Sequence, residues 1–208
     1  MIALVIALLA SEPALTRTMP DQAAALRQVA AGRHETLMNS SPSAVLDLGS
    51  DAGPRRTVVT FHRVWAGDQA RPSWTGEWTW IARLRDARGG KLTTGYADRR
   101  DCPALGQVLS RAEAIPTPAF DFDDVADGEP SRTPFLQFHG VEYSFSGPGM
   151  FPGADREVLV ELTGGEGSPL SHWAEESLRA LKPCWTDKLP PCRSWQCGFV
   201  RGGSPKAE

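Results

Sequence analysis

Between Thr57 and Ala97 the apolar positions recur with the period of a β-strand. Thr57 to Trp65 (TVVTFHRVW) is dense in β-branched and aromatic side chains, and Glu77 to Arg85 alternates Trp78, Trp80, Ala82 and Leu84 with Glu77, Thr79, Arg83 and Arg85. A period of two predicts strands, and in the second run it predicts one buried face that carries Trp78 and Trp80. Arg88-Gly89-Gly90 supplies residues that tolerate positive φ, so Lys91 to Ala97 is expected as the return strand of a hairpin. The period then changes. Pro103 to Ile115 places Leu105, Val108, Leu109 and Ala112 at helical spacing, with Pro103 in the first turn and Pro116 and Pro118 as stops.

The same order recurs further along. Strands are expected at Pro134 to Phe138, at Val141 to Phe145 after a His139-Gly140 turn, and at Arg156 to Thr163 after a Gly/Pro loop. A helix from Pro169 to Leu181 follows, with Ser168 as N-cap and one apolar face formed by Leu170, Trp173, Ala174, Ser177, Leu178 and Leu181. The halves read βββα and βββα, although their residues do not align. Ahead of them, Thr18-Met19-Pro20-Asp21 resembles a capping box, so a short helix carrying Leu26, Val29 and Ala30, with Leu37 beyond, is expected. Gly32 weakens that helix and Ser40-Ser41-Pro42 ends it. A short strand at Ala44 to Leu48 and a loop at Gly49 to Arg56 complete the pattern. Many strands with few, grouped helices predict an α+β fold: an antiparallel sheet of about six strands with the two main helices on one face, plus the short N-terminal helix.

Met1 to Ala10 forms an uncharged apolar run that stops at Ser11-Glu12-Pro13, the shape of a signal peptide although a basic n-region is missing. The run is shorter than the roughly 20 apolar residues that span a bilayer. The expectation is an exported chain, periplasmic or secreted, with no integral membrane segment once residues 1–10 are removed. The rest divides into residues 11–55 (helix and linker), 56–182 (the α+β core domain) and 183–208 (a Cys/Pro-rich tail). Lys and Arg total 22 against 25 Asp and Glu, a net charge of −3, which offers nothing to nucleic acid or to an anionic membrane. The basic residues are mostly arginine, and Ala, Gly and Pro are abundant, as expected of a GC-rich genome before any chemistry is invoked.

The even count of 4 cysteines in an exported chain suggests disulfides. Cys102 immediately precedes the first main helix and Cys184 lies just beyond the second. If these helices pack antiparallel on one face, the start of one sits beside the end of the other, so Cys102 is expected to pair with Cys184 and Cys192 with Cys197. A free Cys102 at a helix N-terminus would instead be an activated thiol.

Candidate chemistry is sparse. Trp65, Trp74, Trp78 and Trp80 cluster with His62, Arg63, Arg83 and Arg85, a combination able to stack on a glycan or peptide. Core packing is the expectation for Trp78 and Trp80, and exposure for Trp74 beside Pro72 and Gly76. The Thr163-Gly164-Gly165-Glu166-Gly167-Ser168 stretch lacks the P-loop lysine and reads as a tight strand-to-helix turn. The connection from Pro116 to Thr133 holds Asp121, Asp123, Asp124, Asp127 and Glu129, but Val125 falls where a calcium loop needs oxygen, so a solvated acidic loop is expected. His34, His62, His139 and His172 are scattered, without zinc-ligand spacing, and no metal or cofactor is called for. Nucleophile motifs are absent. The function expected is that of a non-catalytic envelope protein binding a peptide, protein or glycan, of which an inhibitor or immunity-type partner is one version. The rival is a hydrolase of envelope material built around His62, His139 or Asp98, which requires a histidine in a cleft beside a carboxylate and a nucleophile.

Overall fold

The computed structural model describes residues 19–49, 53–66, 77–116, 140–149 and 157–191. The apolar run Met1 to Ala10, the acidic connection 117–133, the strand expected at 134–138, His139, Trp74 and the pair Cys192 and Cys197 lie outside the described residues.

The chain runs α1 (Met19–Ala31), a 3₁₀ turn (Gly32–His34), β1 (Ala44–Gly49), β2 (Arg55–Ala66), β3 (Glu77–Arg88), β4 (Lys91–Asp98), α2 (Pro103–Ala112), β5 (Glu142–Gly149), β6 (Val158–Gly164), α3 (Pro169–Leu181) and a closing 3₁₀ turn (Lys182–Cys184). The six strands form one sheet in the order β4-β3-β2-β1-β5-β6, every neighbour antiparallel. This is the α+β architecture that the periodicities predict. One strand differs from expectation. Ala44–Gly49, read as a short strand ahead of the main body, is an inner strand with β2 on one side and β5 on the other. Strand β5 is flanked by β1 on one side and β6 on the other.

Alternation gives the sheet two different faces. On the first, Leu46 and Leu48 of β1, Val59 and Phe61 of β2, Ala82 of β3, Ala97 of β4 and Tyr143 of β5 meet Leu105 and Val108 of α2 and Leu170, Trp173, Ala174 and Leu181 of α3. These are the apolar stripes read from the sequence, each buried against the other. Trp173 donates its indole N–H to the Val108 carbonyl at 3.3 Å and meets Phe145 edge-to-face at 4.8 Å. Ser168 caps α3 by accepting the Ser171 N–H at 3.1 Å, which satisfies one of the donors left free at a helix start. The second face is covered in part by α1, whose Ala25 and Val29 pack on Val58 and Ala87.

The β3–β4 hairpin turns through Gly89 (φ 56°) and Gly90 (φ 82°). Two successive positive φ values are what a two-residue hairpin of matching twist requires, so the dipeptide read from the sequence sets this turn. At the outer edge of β4, Tyr96 exchanges backbone hydrogen bonds with Thr186 at 2.8 and 2.9 Å, so the segment after α3 covers that edge.

Cys102 and Cys184 form a disulfide with Cα atoms 5.7 Å apart. Contacts from Cys102 to Cys184 and from Val108 to Trp173 run in opposite chain directions, so α2 and α3 are antiparallel as inferred. The bridge closes a sequence separation of 82. On the loop-entropy model, replacing both cysteines by alanine is expected to lower stability by up to about 4.5 kcal/mol. Urea unfolding reads this as a lower midpoint with a steeper slope, because the unfolded chain without the cross-link exposes more surface. Non-reducing peptide mapping should recover the Cys102–Cys184 link, and a link from Cys102 to Cys192 or Cys197 would contradict the arrangement.

Candidate functional site

The register of β2 on β3 pairs Trp65 with Trp78 and Arg63 with Trp80. Because side chains alternate, these four residues share the sheet face that carries the main core, farther along the strands. Trp80 packs partly buried against that core, which agrees with its place in the sequence pattern. Trp78 does not agree. It is 48% exposed, and the expectation that it fills the core is overturned. Its alternation with charged residues assigns the correct face but not how far along the strand the covering helices reach.

Trp78 meets Trp65 at 5.2 Å between ring centroids with the planes at 78°, an edge-to-face pair. The Arg63 guanidinium carbon lies 5.0 Å from the Trp78 ring centroid, within cation–π range. The result is an aromatic corner with a cation on one wall, at the end of β2 and β3. Trp74, the fourth tryptophan of the cluster, lies outside the described residues.

The other residues expected beside the tryptophans occupy the opposite face and the interior. His62 is fully buried. Its Nδ1 lies 3.0 Å from the Ser40 carbonyl, which can only accept, so Nδ1 carries the proton and Nε2 accepts from the Thr60 hydroxyl at 2.9 Å. Burial above all, aided by the charge of Arg83 and opposed by the Ser40 hydrogen bond, lowers its pKa from 6.5 to about 4. Arg83 is 4% exposed and donates to the Gly32 and Glu35 carbonyls at 3.1 and 3.0 Å. Its Nη1 also lies 3.3 Å from the Glu35 carboxylate, to which Arg85 donates at 2.7 Å. Arg85 further donates to the Gln28 carbonyl. These arginines anchor the end of α1 and the turn after it, so the structure places His62 and Arg83 in the interior and Arg85 partly buried on the face opposite the tryptophans. Glu35 is the residue that sequence reading missed. The available signal was two arginines on one side of an alternating strand, which need a counter-ion if that side is covered.

A second polar feature lies where α1 does not reach. Strands β1, β5 and β6 frame a recess of about 230 Å³ lined by Arg33, Asp47, Arg56, Ser144 and Glu161 among others. Asp47 is buried and held by Arg56 at 3.0 and 2.7 Å and by Arg33 at 3.4 Å, while Glu161 takes Ser144 at 3.0 Å. The ion pairs are satisfied within the recess, as a structural network would be.

The groups expected of a hydrolase are not assembled around His62, since both ring nitrogens are engaged inside the protein. The Asp98 carboxylate is buried and tied to the backbone N–H and guanidinium of Arg100. At the Thr163–Ser168 turn, a Cβ on Gly164 would meet the Ser168 hydroxyl at 2.6 Å, so the turn closes on its own cap as a tight strand-to-helix connection. Among the described residues no group of His, Cys, Asp and Glu could hold a metal ion, and no helix is long and apolar enough to cross a membrane.

His62 makes stability pH-dependent with a definite sign. Its folded pKa lies below the unfolded value, so the unfolded chain binds the extra proton and stability falls as the pH drops through the window from 6.5 to about 4. From about pH 7.5 to about 4.5 the contribution amounts to about 2.5 kcal/mol. Urea midpoints of the wild type and of His62→Gln should therefore diverge in slope against pH by that amount, the variant being the flatter. Parallel curves would contradict the buried neutral histidine.

Comparison with protein-family models, curated proteins and solved structures gives no match for this chain.

Proposed function

We propose that this chain is an exported, non-catalytic protein of the bacterial cell envelope that binds a peptide, protein or glycan through the Trp78 corner. One observation carries the proposal: Trp78 is half exposed on a rigid strand pair while held by Trp65 and Arg63. A tryptophan left in water on a β-ladder loses apolar burial that a ligand restores, and it loses little side-chain entropy on binding because its neighbours already fix it. Aromatic residues and arginine are also the side chains that dominate binding surfaces.

The disulfide supports export, since such bonds persist in oxidising compartments and are rare in the cytosol. It fits the apolar start of the chain, and a periplasmic or secreted location is part of the proposal. N-terminal sequencing of fractionated cells tests it, with cleavage near Ala10 and a periplasmic or extracellular fraction as the expected result.

Trp78→Ala and Trp80→Ala separate recognition from packing. Trp78→Ala should change stability by less than about 1 kcal/mol, whereas Trp80→Ala should cost about 3 kcal/mol through lost core contacts. Immobilised wild type and Trp78→Ala are then offered an envelope extract together with isolated peptidoglycan fragments. A species retained by the wild type and lost with Trp78→Ala is the expected outcome. Identical retention by both, or a large loss of stability in Trp78→Ala, would remove the corner as the binding surface.

A further inference from the structure

Most arginines projecting from the middle strands are already matched. Arg55 pairs with Asp86, Arg56 with Asp47, and both Arg83 and Arg85 with Glu35. Arg63 differs. It is exposed and leans on Trp78, and among the described residues no carboxylate lies within ion-pair distance of it. A cation against a ring face uses its charge there, and its five N–H donors stay available for a planar acceptor. The Trp78 ring restricts the guanidinium in advance, which lowers the entropic cost of a later hydrogen bond.

The shape of the corner limits what can enter. A sugar ring stacks by laying a flat C–H face on a flat indole, and a row of coplanar rings suits a chain of sugars. Here Trp65 and Trp78 stand at 78°, and Arg63 occupies one side of Trp78. Two rings in edge-to-face contact near a right angle form a concave apolar corner against which one bulky apolar side chain can pack, with the cation a few ångströms away.

We infer that the corner recognises an acidic peptide segment in which a carboxylate side chain lies next to a large apolar one, Arg63 taking the carboxylate and Trp65 with Trp78 taking the apolar group. This rests on the Trp78 corner being the binding surface and names the chemistry of its ligand. Charge complementarity selects the acid, since of Arg63, Trp65 and Trp78 the arginine alone carries a formal charge. Charge-assisted hydrogen bonds of this kind are worth about twice a neutral one.

The full chain is titrated with a pool of blocked pentapeptides in which Asp follows Leu, Phe or Trp, with the same pool carrying Asn for Asp, with galacturonate oligomers and with neutral N-acetylglucosamine oligomers, followed by calorimetry. The Asp pool should bind about tenfold more tightly than the Asn pool. That ratio should fall as salt is raised and should vanish in Arg63→Gln, which is expected to keep the wild-type melting temperature because the side chain is exposed. Equal binding of the two pools, or an unchanged ratio in Arg63→Gln, overturns the acidic specificity while a loss of binding in Trp78→Ala keeps the corner as the surface. Binding of either glycan in preference to the peptides overturns the peptide assignment alone. Failure of every probe, or binding untouched by Trp78→Ala, overturns both.

Discussion

The structure depends on a mismatch of lengths. Strands β2 and β3 are each 12 residues long, about 40 Å at a strand's rise per residue, whereas α2 and α3 have 10 and 13 residues, about 15 and 20 Å. Two such helices side by side cover a patch of about 20 Å in either direction. The face on which they lie therefore begins as core, with Phe61 and Ala82, and ends as surface at Trp78, although the alternation never breaks. What distinguishes Trp80 from Trp78 is two residues along one strand. The disulfide holds the helix pair together at the end where α2 starts and α3 finishes, which limits how far the cover can slide or splay.

The opposite face solves a different problem. A helix laid on a sheet normally meets apolar side chains, but here β2 and β3 offer His62, Arg83 and Arg85 beside Val58 and Ala87. Unpaired, a guanidinium as buried as Arg83 would be costly. The turn that ends α1 removes the cost by aiming the Gly32 and Glu35 carbonyls and the Glu35 carboxylate at it. A neutral His62 fits the same environment, because its burial would strip the charged form of hydration and a proton on it would add a second positive charge next to Arg83. The polar groups on this face thus fix where α1 ends and how the chain enters β1.

The two faces also separate roles. Residues that sequence proximity put together, His62 with Arg63 and Trp78 with Arg83, are split between an interior network and an exposed corner by the pleat of the strand. Among the described residues, the corner at the end of β2 and β3 therefore carries one cation and two indoles.

Sequence by itself determined the local elements. The Gly89-Gly90 turn, the Ser168 cap, the apolar stripe of α3 and the alternation of β3 are each set by interactions within a few residues, which is why they could be read directly. The Cys102–Cys184 pairing was also legible, because both cysteines flank helices whose antiparallel packing brings them together. Tertiary structure alone decided the rest. It made Ala44–Gly49 an inner strand, since strand neighbours are set by long-range pairing that no local pattern encodes. It assigned Glu35 to Arg83 and Arg85, 48 and 50 residues away. It also left Trp78 in solvent and Trp80 in the core, because periodicity tells which face a side chain takes, while the extent of the element lying over that face is settled only when the helices dock.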